Sequence, residues 1–256
     1  PLYWSIRREL WENRSLYIAP LCVSALVLLG FLLSAMTLPR RMRTVLALSD
    51  AKLHEMITMP YNAVAGTLVM TAFLVGVFYC LDALHGERRD RSILFWKSLP
   101  VSDRTIVLSK AAIPLVVLPL LIFALAVTTQ LSMFLANNLV LLPNGAALEA
   151  LWTHVKFVQT ALAFFYGLVA IALWHAPVYT WLLLVSAWAR RATLLWAVLP
   201  VLGVGAFEKM AFNSTHFMKL VGYRLVGWFQ QAFDVAPKGA RHSIDPLADP
   251  PLPGWS

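Results

Sequence analysis

The side chains of this sequence that could do chemistry are concentrated in one segment, GERRDRSILFWKSLPVSDRTIVLSK, which lies between two long apolar runs. Basic side chains stand there beside an apolar cluster, Ile93 to Trp96. Guanidinium groups bind carboxylates and phosphates, and a partner-facing interface core is apolar and aromatic. Topogenic charge is the alternative, but it needs no particular order of residues. The apolar cluster favours a docking surface.

The sequence contains none of three common motifs of enzymatic sites. There is no H-E-x-x-H, no G-x-S-x-G and no phosphate-binding G-x-x-x-x-G-K-[ST] loop, and the six histidines are scattered. The two cysteines, Cys22 and Cys80, fall inside apolar runs and are expected to be buried thiols. We therefore predict no catalytic residue and no metal site, and an intramembrane enzyme is the less favoured class.

The composition is that of a membrane protein. Hydrophobic residues make up 59% of the chain and charged residues 13%, whereas a soluble domain has about 25% charged residues. The net charge of +8 could suggest nucleic acid, but the basic residues form short clusters beside apolar runs. This pattern is typical of the positive-inside bias, so we predict no nucleic-acid partner.

Continuous apolar runs predict an all-α polytopic protein, since strands of a barrel would alternate. The predicted transmembrane domain, 15–207, has five spans at about 15–36, 61–84, 105–137, 152–188 and 193–207. The fourth is too long for one straight crossing, and Pro177 within it predicts a kink or a steep tilt. Residues 85–104 form an elbow between the second and third spans, and 208–256 are expected to form interfacial helices and a loop.

Residues 1–14 predict an amphipathic helix lying in the headgroup region. Tyr3, Ile6 and Leu10 share one face, and the charged residues, Glu9 included, take the other. The residues expected at the interface are Trp4, Arg7, Arg8 and Trp11.

The distribution of Lys and Arg predicts a cytoplasmic N-terminus. With that orientation, inside segments hold eleven basic residues and the outside loops hold four. The four outside residues are Arg40, Arg41, Arg43 and Lys52, and the cluster Arg40–Arg43 argues against this orientation. The elbow is then cytoplasmic and the C-terminal region, 208–256, is extracytoplasmic.

Three polar residues inside predicted spans are candidates for a translocation path: Thr128, Gln130 and His175. Intramembrane ionisable groups are functional candidates by default. Helix packing is the alternative for Thr128 and Gln130. For His175 the structural alternative is a bond to the Leu173 carbonyl, which Pro177 leaves without a helical donor.

The elbow resembles that of the type 2 ABC exporter permeases, membrane subunits whose ATPase is often a separate chain. The resemblance is carried by Glu87-Arg88, Arg91-Ser92-Ile93-Leu94, Ser98-Leu99-Pro100-Val101-Ser102, Ile106-Val107 and Lys110. In that family the region is a coupling helix that docks in a cleft of the ATPase. The resemblance implies that charged side chains contact the ATPase and that apolar ones fill its cleft. The residues implied are Glu87, Arg88, Arg89, Arg91, Ser92, Ile93, Leu94 and Phe95.

The resemblance also implies a function and a set of partners. The chain is expected to be a permease subunit of an ATP-driven exporter in a bacterial inner membrane. ATP and Mg²⁺ would bind two copies of a partner ATPase, and a second permease subunit would complete a homodimer or heterodimer. The family has six spans, so a sixth is expected to be missing from this sequence. A non-transporting scaffold or sensor partner of an ATPase is the alternative function.

Overall fold

The computed structural model describes residues 2–35, 38, 50–89, 102–143 and 145–233. Within these ranges every regular element is helical. The helices are α1 (Leu2–Glu12), α2 (Ser15–Ala35), α3 (Asp50–Asp82), α4 (His85–Arg89), α5 (Asp103–Ala112), a π-helical segment (Ile113–Val117), α6 (Leu118–Leu141), α7 (Gly145–His154), α8 (Phe157–Trp188), α9 (Thr193–Phe212) and α10 (His216–Phe233).

Five helical stretches of the described chain are long and apolar enough to cross a membrane. They are Ser15–Ala35, Lys52–Arg89, Arg104–Leu141, Gly145–Trp188 and Thr193–Phe212. The predicted all-α polytopic fold with about five spans is thereby confirmed.

The helices extend beyond the predicted spans or divide within them. Helix α3 begins at Asp50 and contains Pro60, and the acidic Asp50 in its first turn complements the positive end of the helix. The fourth apolar stretch is divided at residues 155–156, between α7 and α8. Pro177 lies inside α8, which continues through it to Trp188.

A π-helical segment, Ile113–Val117, interrupts the third span and begins three residues after Lys110. The Leu118 N–H donates to the Ile113 carbonyl, five residues back, and Pro114 lies near the start of the segment. Proline cannot donate a helical hydrogen bond, and single π-turns within helices are frequent at functional sites. Lys110 is the one charged side chain between Arg104 and the end of this span at Leu141.

Two compact units make up the chain, Pro1–Trp188 and Ala189–Ser256. In the first unit α3 packs against α2, α6 and α8. Polar bonds cross between these helices: Ser24 Oγ lies 2.7 Å from Thr129 Oγ1, and Asn137 Nδ2 donates to the Tyr61 hydroxyl at 3.0 Å. The core is closed by side chains that include Leu68, Cys80, Ile122 and Met133.

The second unit is described up to Phe233, where α9 packs against α10. Asn213 ends α9 in the left-handed conformation, which asparagine tolerates well. The Glu208 carboxylate accepts hydrogen bonds from the Ser214 hydroxyl and from the N–H groups of His216 and Phe217. It therefore satisfies donors at the start of α10.

Candidate functional site

A buried ion-pair network joins the N-terminal helix, the elbow and the third span. Lys110, from α5, places Nζ 2.9 Å from Glu9 Oε1 and 3.1 Å from Glu87 Oε1. Lys110 and Glu9 are each only 1% exposed. One ammonium group thus bridges two carboxylates that come from α1 and from α4.

Arg8 provides the second cation of this network. Its Nη2 donates to Glu87 Oε1 at 2.9 Å and to Glu9 Oε1 at 3.2 Å, and its Nε lies 3.3 Å from Glu12 Oε1. The other oxygen of Glu9, Oε2, accepts a 2.8 Å bond from the Tyr79 hydroxyl of α3. Both oxygens of the buried Glu9 carboxylate are therefore satisfied, as a charge taken out of water requires.

Among the described residues, the ion-pair network contains the carboxylates of Glu9, Glu12 and Glu87 and the cations Arg8 and Lys110. Glu12 is the most exposed of the three. Burial raises the pKa of the Glu12 carboxyl above its ordinary value of 4.5, with Arg8 opposing the shift.

The same three carboxylates lie close enough together to be metal ligands, with oxygens within 4.8 Å of one another. However, Lys110 and Arg8 already contact the oxygens that would face an ion. These contacts define an ion-pair arrangement, in which the two basic groups supply the positive charge.

The N-terminal helix presents a different face to the protein from the one predicted. Glu9, expected on the solvated face, is buried because Lys110 and Tyr79 offer it partners inside the bundle. The opposite side carries the exposed Trp4 and Trp11, and the Arg7 guanidinium lies over both rings, 5.5 and 5.1 Å from their centroids. Exposed indoles backed by arginine suit the membrane interface.

Arg8, which is predicted to lie at the membrane interface, donates from Nη2 to Glu87 Oε1. Glu87, which is predicted to contact the ATPase, has 11% of its side chain exposed, and its carboxylate contacts Arg8 and Lys110. In this structure the elbow therefore uses Glu87 as an internal anchor. The two neighbouring cations give the Glu87 carboxylate charge-assisted hydrogen bonds in place of those it would make to water.

The elbow is anchored a second time, to the end of α8. The buried Ser186 hydroxyl accepts the N–H groups of Leu84 and His85, at 3.0 and 2.9 Å, where the chain breaks between α3 and α4. Arg88 donates to the Ala187 carbonyl, and Arg89 is exposed. The remaining predicted docking residues, Arg91, Ser92, Ile93, Leu94 and Phe95, lie outside the described residues.

The three residues proposed for a translocation path occupy three different environments. Thr128 is exposed and its hydroxyl donates to carbonyls of its own helix. Gln130 is buried, donates to the Tyr61 carbonyl at 3.0 Å, and lines a cavity of about 620 Å³. The His175 ring is buried, with Nδ1 2.9 Å from the Ile171 carbonyl and the Phe73 ring 4.9 Å away. Of the three, Gln130 alone lines this cavity, and the His175 contact is with Ile171 rather than Leu173.

Sequence reasoning did not identify the centre of the ion-pair network. In the sequence, Lys110 stands only as the last residue of the elbow pattern, and no motif points to Tyr79. A signal was present, because Lys110 is the sole Asp, Glu, Lys or Arg between Arg104 and Glu149. A single charge in so apolar a run must find a partner, and such residues are functional candidates.

Comparisons with known proteins give no relative. No family model matches the chain, and no curated protein or solved structure matches it either.

Proposed function

We propose that this chain is the membrane-spanning permease subunit of an ATP-driven ABC exporter. It would couple ATP hydrolysis by a separate ATPase subunit to translocation of a substrate. The elbow pattern between the second and third spans carries the resemblance on which this proposal rests.

The observation that supports coupling most is the position of Glu87. This residue opens the elbow, and Lys110 of the third span and Arg8 of the interfacial helix both hold its carboxylate. A displacement of the elbow would therefore move charges paired with two other segments. Breaking a buried pair costs several kcal/mol, so the three segments are expected to move together.

The proposal implies particular partners and a particular place. Two ATPase copies bind ATP and Mg²⁺ and dock on two elbows, which requires a second permease subunit, identical or different. The chain lies in a bacterial inner membrane with its N-terminus and elbow in the cytoplasm. Trp4, Arg7 and Trp11 then lie at the inner membrane surface.

Co-purification tests the proposal. The full chain is expressed with an ABC ATPase encoded beside its gene, extracted in detergent and captured by a tag on the permease. The elbow variant combines Arg88→Glu with Leu94→Asp, and Arg191→Glu is the matched control, since Arg191 is an exposed arginine after α8. We expect wild type and control to retain the ATPase and the elbow variant to lose it, because a reversed charge and a buried acid are both unfavourable at an interface.

The elbow variant is informative only when folded, so its size-exclusion profile and helical circular dichroism are compared with those of wild type. Equal retention by a folded elbow variant, or no ATPase with any form, overturns the proposal. ATPase retention without ATP-dependent substrate movement in vesicles would instead identify a non-transporting scaffold or sensor.

A further inference from the structure

The cavity lined by Gln130 holds residues that the proposed function does not use. It lies at the end of the helices opposite the ion-pair network, where α3 begins and α7 ends. Among its lining residues are Asp50, His54 and His154, which are two imidazoles and a carboxylate. We propose that these three side chains bind a divalent transition-metal ion of the Zn²⁺ class.

The first argument is the separation of His154 and Asp50. His154 Nε2 lies 3.5 Å from Asp50 Oδ1, which is longer than an ordinary hydrogen bond. Two ligands of a tetrahedral zinc, each about 2.0–2.1 Å from the ion, are about 3.3 Å apart. The pair therefore stands at the spacing of two ligands on one ion.

The second argument is the register of His54. Asp50 and His54 are four residues apart on α3, so their side chains lie one turn apart on the same face of the helix. The His54 and His154 rings have centroids 5.5 Å apart. A side-chain rotation of His54 is needed to bring a ring nitrogen to the pair, and the exposed Asp50 carboxylate, 91% accessible, is free to adjust to it.

Chemistry selects the class of metal. Imidazole nitrogens with one carboxylate suit zinc and its first-row neighbours, whereas Mg²⁺ and Ca²⁺ take oxygen ligands. Three protein ligands leave a fourth position that would face the cavity. Lys156 also lines the cavity, and its ammonium group favours an anionic fourth ligand, such as hydroxide or an acidic group on a bound molecule.

Cobalt binding provides a test that does not depend on transport. The full chain, purified in detergent through a tag without histidine and stripped with chelator, is titrated with Co²⁺ and then with Zn²⁺. We expect the visible absorption bands of tetrahedral Co²⁺ to appear at one equivalent and to disappear when Zn²⁺ displaces it. His154→Gln is expected to weaken binding at least about 100-fold, since loss of an outer-shell partner alone costs 10–100-fold.

Control variants separate this site from others. Asp50→Asn changes an exposed side chain, so its loss of affinity cannot be ascribed to misfolding, and His216→Gln removes a histidine of the second unit and should bind as wild type does. Glu12→Gln tests the carboxylates of the ion-pair network, and it should also bind normally. The absence of tetrahedral Co²⁺ bands in wild type, or unchanged binding by both His154→Gln and Asp50→Asn, would overturn the proposal.

Discussion

Lys110 Nζ lies 2.9 Å from Glu9 Oε1, although the two residues are 101 positions apart in the chain. Both are almost completely buried, and Glu87 and Arg8 extend the contact to the elbow. This pair attaches the amphipathic N-terminal helix to the transmembrane bundle. The N-terminal helix α1 is therefore held to the helical bundle by buried ion pairs.

Replacing Lys110 by methionine should strongly destabilise the chain. The variant removes one of the two cations that Glu9 and Glu87 share and leaves them with Arg8. Removing one partner of a buried ion pair costs up to about 3–5 kcal/mol. The change is measured as the shift in the denaturant midpoint of detergent-solubilised protein. Lys156→Met removes an exposed lysine and is the matched control.

Combining Lys110→Met with Glu9→Gln should recover part of that loss, because the acid is then neutral as well. The recovered free energy is the coupling energy of the pair in a double-mutant cycle. Wild-type stability of Lys110→Met, or strict additivity of the two changes, would show that the pair contributes nothing.

Glu12 should make stability fall as pH rises through its titration range. Its pKa is raised on folding, mainly by burial, so between 4.5 and the raised pKa the folded state binds more protons than the unfolded state. Stability from this group is full below 4.5 and declines above it. Glu12→Gln should flatten the pH dependence of the melting temperature between pH 4.5 and 7. The free energy of unfolding at neutral pH should change by less than about 1 kcal/mol, because the Glu12 side chain is half exposed. A steeper pH profile in the variant would contradict the assignment.

Ser186→Ala should loosen the start of the elbow. The substitution removes the acceptor of the Leu84 and His85 amides, and a polar group left unsatisfied costs about 1–3 kcal/mol. Hydrogen exchange of peptides covering these two amides should accelerate. Ser132→Ala is the control, since that hydroxyl is exposed and bonded within its own helix; equal exchange in the two variants would refute the anchoring role.

Gly76 is needed for the contact between α3 and α8. A methyl group at this position would lie 3.0 Å from the Tyr179 ring, so Gly76→Ala should destabilise by about 1–3 kcal/mol through overpacking. At Gly30 nothing lies within 4 Å of an added methyl group, and Gly30→Ala should stabilise by up to about 1 kcal/mol through helix propensity. Thermal unfolding of both variants measures these changes in stability. A Gly76→Ala variant as stable as wild type would mean that the Tyr179 ring moves aside freely.

The fold class was predictable because a backbone inside a membrane must satisfy its own hydrogen bonds. An apolar run of membrane-spanning length does so as a helix. Helix ends were less predictable. The segment before Tyr61 is polar enough to suggest a loop, yet it continues α3 to Asp50. In the fourth stretch, Pro177 predicted a kink or a steep tilt. The helix is interrupted at Val155 and Lys156, and Pro177 lies inside α8.

The ion-pair network was beyond sequence reasoning because its partners come from segments that are distant in the chain. Glu9 has charged neighbours on α1, so periodicity placed it on the solvated face. The pairing with Lys110 depends on how α1 packs against α5, and one sequence does not reveal such packing. The charge of Lys110 inside an apolar run was visible, but its partner was not.

ATP hydrolysis by the assembled complex tests the central claim most directly. The ATPase is measured alone, with the wild-type permease in lipid nanodiscs, and with the Arg88→Glu, Leu94→Asp elbow variant. The account predicts that the wild-type permease changes the hydrolysis rate and that the folded elbow variant leaves it at the value of the free ATPase. An unchanged rate with a wild-type permease that is folded would contradict the claim that this chain couples to an ATPase through its elbow.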